Sequence, residues 1–399
     1  MLVRAGFLLL VLLGISNAQT RLTADDQVRL GRILNNSGKP ERLACDVSEA
    51  RPFLDYTFRF AAGYFIECPV RIFSGEADTI YTYVRITPEH GEPVTLRDSF
   101  DIPAMPDYLK PRVNVHHVNT VIDVSGGFGI GEGRFAVDLI LCDKDNRIFR
   151  KHWRMAALRS RSEQGTELTM KPGTAGPLFV NRWNGRLRGP RQGLRLTVLL
   201  DATPIFQYAR KLHSQDRILL LDSLYSLLTE EPCSSVQLIA FNLDQQQEVF
   251  RDNRFGRLGW YALEERLREL ELGKVPYKVV THPDGWSNLL VQLVNEQTSA
   301  ENPPDAVVFL GPNTRIHKKP MALIPSRKEG MPAFFYVEYY PPWDRGNETP
   351  DAVAYVTRAL DGQTFKIHSP AELAQAIRKI DAQLTSSRNG LPPISTGSR

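Results

Sequence analysis

An apolar run, LRLTVLLD, ends in a carboxylate at Asp201, and a hydroxyl follows two residues later at Thr203. A carboxylate and a hydroxyl so spaced at the end of a strand are hard oxygen donors of the kind that hold Mg²⁺. The same aspartate can instead cap the turn or helix that follows it. Ile205, two residues further on, offers no ligating atom. Other candidate chemistry is thin. SGGFGIGEG (Ser125 to Gly133) has the glycines of a phosphate loop but lacks the G-K-[ST] ending and runs into a strand pattern, so it reads as a flexible turn. His116-His117 is the one His pair, and on extended chain adjacent rings point to opposite faces. Asp138, Asp143 and Asp145 crowd a turn without the ligand spacing of a calcium loop. H-E-x-x-H, G-x-S-x-G and C-x-x-C are all absent, so no metalloprotease, nucleophile-elbow or zinc-ribbon chemistry is indicated.

The elements that must position these residues fall into two textures. From about Pro52 to Trp153 the apolar period is two: Tyr56, Phe58 and Phe60 share a face in DYTFRF, as do Ile80, Thr82, Val84 and Ile86, and again Phe135, Val137, Leu139 and Leu141. The turn DKDN (Asp143 to Asn146) marks a hairpin. Such strands predict an immunoglobulin-like β-sandwich over 51–155. Residues 156–193, rich in Gly, Pro and Arg, read as a linker. From Leu194 onward strands and helices alternate, which predicts a doubly wound α/β domain over 194–386. Its first helix pattern has Ile218, Leu221, Leu224 and Leu228 at helical spacing. Its last has Ser369 as N-cap, Pro370 at N1, Glu372 in the capping box and a stripe of Leu373, Ala376, Ile377, Ile380 and Leu384. In FFYVEYYPPW, alternation sets Phe335, Val337 and Tyr339 against Phe334, Tyr336, Glu338 and Tyr340. Tyr340 to Trp343 then lie at the strand's end.

The N-terminus carries Arg4, an apolar run from Phe7 to Ile15 and the small residues Ser16-Asn17-Ala18, the pattern of a secretory signal peptide over 1–18. Export, periplasmic or extracellular, is the expected destination, and no later run is long enough for a membrane span. Residues 19–50 read as a helical segment with Thr23 as N-cap, and 387–399 as a disordered tail. A net charge of +4 without clustered Lys and Arg gives no case for nucleic acid. Export permits disulfides. Cys45, Cys68, Cys142 and Cys233 allow three full pairings, of which Cys45–Cys68 is the most local, and separate buried thiols are the alternative.

The stretch from about Leu194 to Leu384 resembles a von Willebrand factor A domain. The likeness is carried by LLDATPI where that family has D-x-S-x-S, by SVQLIAFNLDQQQEVFRD as its second and third strands, and by RALDGQTFKIHSPAELAQAIRKI as its closing pattern. Joined to GEGRFAVDLILCDKDNRIFRKHW behind a signal peptide, it is similar to exported bacterial proteins of that type. The resemblance implies a ligand site at the carboxyl ends of the strands, with an adhesion-site metal held by D-x-S-x-S, a hydroxyl from a second loop and an Asp from a third. Asp201 and Thr203 match the first loop. Ile205 stands at the second serine position, and Gly311-Pro312-Asn313 stands where the third loop's Asp belongs. Thr281 and Ser287 are the candidates for the second-loop hydroxyl. The expected function is a non-enzymatic protein-interaction module with a degenerate metal site and no cofactor, binding a protein partner through Asp201, Thr203, Ile205, Gly311, Asn313, Tyr340 and Trp343. The alternatives are an Mg²⁺-dependent adhesion module using Asp201 and Thr203, and a hydrolase with an unrecognised site.

Overall fold

The protein was analysed as a computed structural model, which describes residues 20–23, 26–28, 30–31, 42–108, 110–111, 114–178, 183–187, 193–205, 209–274, 276–340 and 349–388. The expected signal peptide, the tail from 389 and Trp343 lie outside the described residues. Two compact units emerge. The first holds the described residues of Met1–Leu54, Arg59–Arg159 and Leu168–Val180, and the second those of Asp55–Phe58, Ser160–Glu167 and Asn181–Arg399.

In the first unit, β1 (Thr20–Arg21), β5 (Val94–Ile102), β4 (Asp78–Pro88), β7 (Gly133–Cys142) and β8 (Ile148–Ala157) form one antiparallel sheet in that order. A second antiparallel sheet runs β2 (Asp46–Leu54), β3 (Phe60–Pro69), β6 (Val121–Ile130), β9 (Ala175–Pro177). Inward residues of both sheets meet in one core: Ile80, Val84, Ile86, Val137, Leu139 and Leu141 from the first, and Val47, Phe60, Ile66 and Phe128 from the second. The period-two pattern of β4 and β7 therefore places the faces as expected. A disulfide joins Cys45 to Cys68, and Cys142 and Cys233 are buried thiols.

Several local expectations fail for identifiable reasons. DYTFRF is a turn rather than a strand: Phe58 has φ 59°, and the Asp55 carboxylate accepts from the Thr57 amide and hydroxyl. This self-bonded Asx turn outcompetes the alternation. His116 and His117 sit in a 3₁₀ turn, both exposed. Residues 19–50 supply β1 and the start of β2 as well as a helical turn at 26–28, whose Thr23–Asp26 pair bonds reciprocally as a capping box. The stretch 156–193 is no uniform linker, because β9 pairs with β6 and the Trp183 ring is buried and stacks on Phe255.

Most of SGGFGIGEG is the second half of β6, and only Gly131-Glu132 turns. Its glycines answer to packing: a Cβ on Gly126 would lie 2.2 Å from the Tyr64 hydroxyl. Tyr64 is fully buried, so its ring lies over bare backbone that a side chain would displace.

The second unit is one six-stranded sheet in the order β12 (Gln247–Asp252), β11 (Cys233–Asn242), β10 (Leu194–Asp201), β13 (Ala306–Pro312), β14 (Ala333–Tyr339), β15 (Gln363–Ile367). All neighbours are parallel except β12, the antiparallel edge. Helices cover both faces. On one, α1 (Ser214–Glu230), α2 (Arg257–Glu269) and α6 (Pro370–Arg388) bury Leu224, Trp260, Leu263, Leu373 and Ile377 against Val198, Val308, Phe335 and Val337. The five-residue α3 (Tyr277–Thr281) precedes α4 (Gly285–Thr298), which covers the other face together with α5 (Ala352–Ala359). These last two bury Leu290, Val294, Val353 and Val356 against Leu199, Val307, Phe309 and Tyr336. Two-sided burial explains the unbroken apolar runs of β10 and β13. The α6 stripe is buried as read, whereas α1 turns Leu220, Leu224, Leu227 and Leu228 inward and leaves Ile218 exposed.

Replacing Gly126 by Ala is expected to lower the stability of the first unit by about 1–3 kcal/mol in urea unfolding. Gly176→Ala, at a position with no atom within 4 Å of an added Cβ, should change it by less than about 0.5 kcal/mol. Equal effects would contradict the Tyr64 packing account.

Candidate functional site

Asp201 is the last residue of β10, at the carboxyl end of the sheet, where doubly wound folds collect their loops. Its Oδ1 accepts from the Thr203 hydroxyl at 2.7 Å and the Thr203 amide at 3.1 Å, so the D-x-T spacing closes a tight turn on itself. Its Oδ2 is buried and has no hydrogen-bond partner among the described residues. The strand beside it leaves no room: a Cβ on Gly311 of β13 would lie 2.6 Å from Asp201 Cβ. Only a residue without a side chain fits there.

The loop after Asp201 is held by charged side chains from elsewhere in the sequence. The Ile205 amide donates to Asp216 Oδ1 at 3.0 Å, and Asp216 also accepts from the His213 amide at the start of α1. The Arg315 guanidinium donates to the Pro204 carbonyl at 3.1 Å and to the Ile205 carbonyl. Arg315 itself has φ 59°, held by an Asx turn in which its amide donates to Asn313 Oδ1. The Asn313 side-chain amide donates to Glu338 Oε1 at 2.6 Å, and the Tyr340 hydroxyl donates to the same oxygen at 2.9 Å. Asp351, N-cap of α5, accepts from the Ala354 amide, the Thr314 amide and the Tyr336 hydroxyl.

Four carboxylates, from Asp201, Asp244, Glu338 and Asp351, thus interact at this end of the sheet, with the Arg315 charge acting on Asp244 and that of Lys366 on Glu338. Burial pushes the Asp201 carboxyl well above the usual range against the opposing Thr203 hydrogen bond, and the charges of Asp244 and Asp351 add to it. Burial likewise raises Asp244, with Arg315 opposing. It lifts Glu338 to about 7, helped by Asp351 and opposed by Asn313 and Tyr340. Asp201 and Glu338 are therefore buried acids that hold their protons more tightly than free carboxyls do.

The donor set does not fit a divalent ion. Thr203 gives its proton to Asp201, Ile205 has no donor, and Gly311-Pro312-Asn313 brings no carboxylate. Of the two second-loop candidates, Thr281 donates its hydroxyl to carbonyls within α3, and Ser287 is fully buried with its Oγ accepting from the Ala322 amide. Among the described residues, the one group with three carboxylate oxygens within 4.8 Å of one another is Asp78, Asp143 and Asp145, in the first unit. There Asp143 is already committed to the Asp145 and Arg147 amides and the Arg147 guanidinium, while Asp138 instead pairs with His152.

The contact rim read from the sequence also changes. Asp201, Thr203, Gly311 and Tyr340 are buried, so they do not present side chains to a partner. Tyr340 is held by Glu338 and stacks on His368 at 5.3 Å. Ile205, Asn313 and Arg315 are half-buried and reach the surface. Arg315, Asp216, Asp244 and Asp351 escaped the sequence reading. Asp351 and Asp216 were recoverable as capping residues at helix starts, whereas Arg315 and Asp244 carry no motif.

The chain matches no protein-family model and no curated protein sequence. Among solved structures it is similar to one assigned as ApaA of Bordetella pertussis, at 11% identity and a TM-score of 0.20, over 30% of this chain and 99% of that one. A structural-genomics target is similar at 14% identity and a TM-score of 0.17, over 28% of this chain and 84% of that one.

Each raised carboxyl binds its proton better in the folded than in the unfolded chain, so its stabilising contribution is present at low pH and is lost as pH rises through the folded value. Unfolding of the second unit is therefore expected at a lower temperature at about pH 8 than at about pH 6, and Glu338→Gln should flatten that slope. A Glu338→Gln variant with the wild-type slope would show that Glu338 is ionised throughout.

Proposed function

We propose that this is an exported, non-enzymatic interaction protein, with an immunoglobulin-like sandwich in the first unit and a von Willebrand A-like module in the second that engages a protein partner without a metal. The observation that carries the reading is the clamp on Pro204 and Ile205. The loop that would present metal ligands is instead fixed by Arg315 through its carbonyls and by Asp216 through an amide. A cationic side chain built into the fold supplies what a bound ion would otherwise supply, a fixed loop geometry. The sheet order supports the family reading: counted within the unit, it is third, second, first, fourth, fifth, sixth, with the third strand antiparallel. The D-x-T turn at the end of the unit's first strand supports it too. The surface this leaves for a partner is Ile205, Asn313 and Arg315.

The Mg²⁺-dependent alternative has one observation in its favour, the unpartnered Oδ2 of Asp201. Titration calorimetry separates the two readings. Mg²⁺ and Mn²⁺ are expected to give no heat that Asp201→Asn removes, and partner capture by the immobilised protein is expected to survive EDTA but to fall with Asn313→Ala combined with Ile205→Ser. Saturable heat that vanishes in Asp201→Asn would establish the metal-dependent reading instead.

A further inference from the structure

We propose that the second unit docks peripherally on an anionic lipid surface through the irregular segment between β13 and β14. This inference does not depend on the metal-independent reading above. The segment, residues 313–332, has five basic residues and one acidic residue. Near its middle, Met321 is 73% exposed and Leu323 90% exposed, the latter more exposed than any other large apolar residue described. Lys318 and Lys319 stand exposed just before this pair, and Arg327 and Lys328 just after it. The result is an apolar tip between two basic flanks. Pro320 and Pro325 bracket the tip and restrict its backbone. The tip's backbone is anchored between its two apolar residues, because the Ala322 amide donates to the buried Ser287 hydroxyl at 3.0 Å, and the Arg327 guanidinium bonds the Pro332 carbonyl.

A second apolar group lies next to it in the fold. Ser287 is in the first turn of α4, and the short α3 just before carries Tyr277, 82% exposed, and Val280, 69% exposed. Of the six large apolar residues described as exposed in this unit, four thus belong to two segments joined through the start of α4. Because α4 leads back to the amino end where β13 begins, its own start lies at the carboxyl end of the sheet. Clustered exposed apolar groups mark an interaction surface. Isolated aliphatic tips that project between basic side chains fit a soft apolar layer under negative headgroups.

The test is flotation of the chain from Gln19 onward, the form the expected signal cleavage leaves, with phosphatidylcholine vesicles containing none or about a third phosphatidylglycerol. The wild type should float with the anionic vesicles at low salt and dissociate as salt rises. Met321→Ser combined with Leu323→Ser should weaken partitioning roughly tenfold or more, and Lys318→Glu with Lys319→Glu by at least about tenfold. All four side chains are exposed, and the Lys319 ammonium lies 5.9 Å from the Tyr355 ring, so circular dichroism should be unchanged in both double variants and unfolding unchanged in the Met321-Leu323 one. Failure of the wild type to float with anionic vesicles, or flotation unaffected by either double variant, overturns the proposal and leaves the surface to an acidic protein partner.

Discussion

The second unit depends on how closely β13 approaches the end of β10. With a Cβ at Gly311 excluded by Asp201, the two strands meet where the sheet's loops begin, and a carboxylate is left in a space too dry to ionise readily. The D-x-T turn satisfies one of its oxygens, and desolvation disfavours charge on the other. The guanidinium of Arg315 holds the loop carbonyls instead, and its charge opposes the rise of the Asp244 carboxyl. Glu338, also buried and raised, is steadied by two neutral donors, Asn313 and Tyr340. This end of the sheet is thus organised by hydrogen bonds to one oxygen each of Asp201 and Glu338, and by the three donors on Asp351.

The same constraint bears on what the site can do. Asp201, Thr203, Glu338 and Tyr340 are all buried, so their polar groups serve the fold of this end of the sheet. Among the described residues, Ile205, Asn313 and Arg315 are half-buried there and the Asp244 carboxyl is exposed.

Much of the framework was legible in the residues because it obeys local rules. The α6 helix follows its capping residues and stripe, the two faces of β14 follow alternation, and β7 turns into β8 where DKDN places an Asx turn. The failures came where one local bond outweighed a pattern, as in the Asp55–Thr57 turn within DYTFRF, or where partners are far apart in sequence. Tyr64 over Gly126, Arg315 on Ile205 and Asn313 on Glu338 are pairings that no window reveals. The site was half legible for this reason. LLDATPI announced the strand end and its turn, but burial of Tyr340 and the role of Arg315 required the folded chain.

Everything at this end of the sheet turns on Asp201 being a buried acid, its proton held more tightly than a free carboxyl's, and not a metal ligand. Carbon-13 NMR of the side-chain carboxyl carbons, assigned through Asp201→Asn, tests it most directly. The expected result is an Asp201 signal that titrates above the free carboxyl range and neither shifts with Mg²⁺ nor broadens with Mn²⁺. An ionised Asp201 signal that shifts or broadens on adding those ions would contradict it.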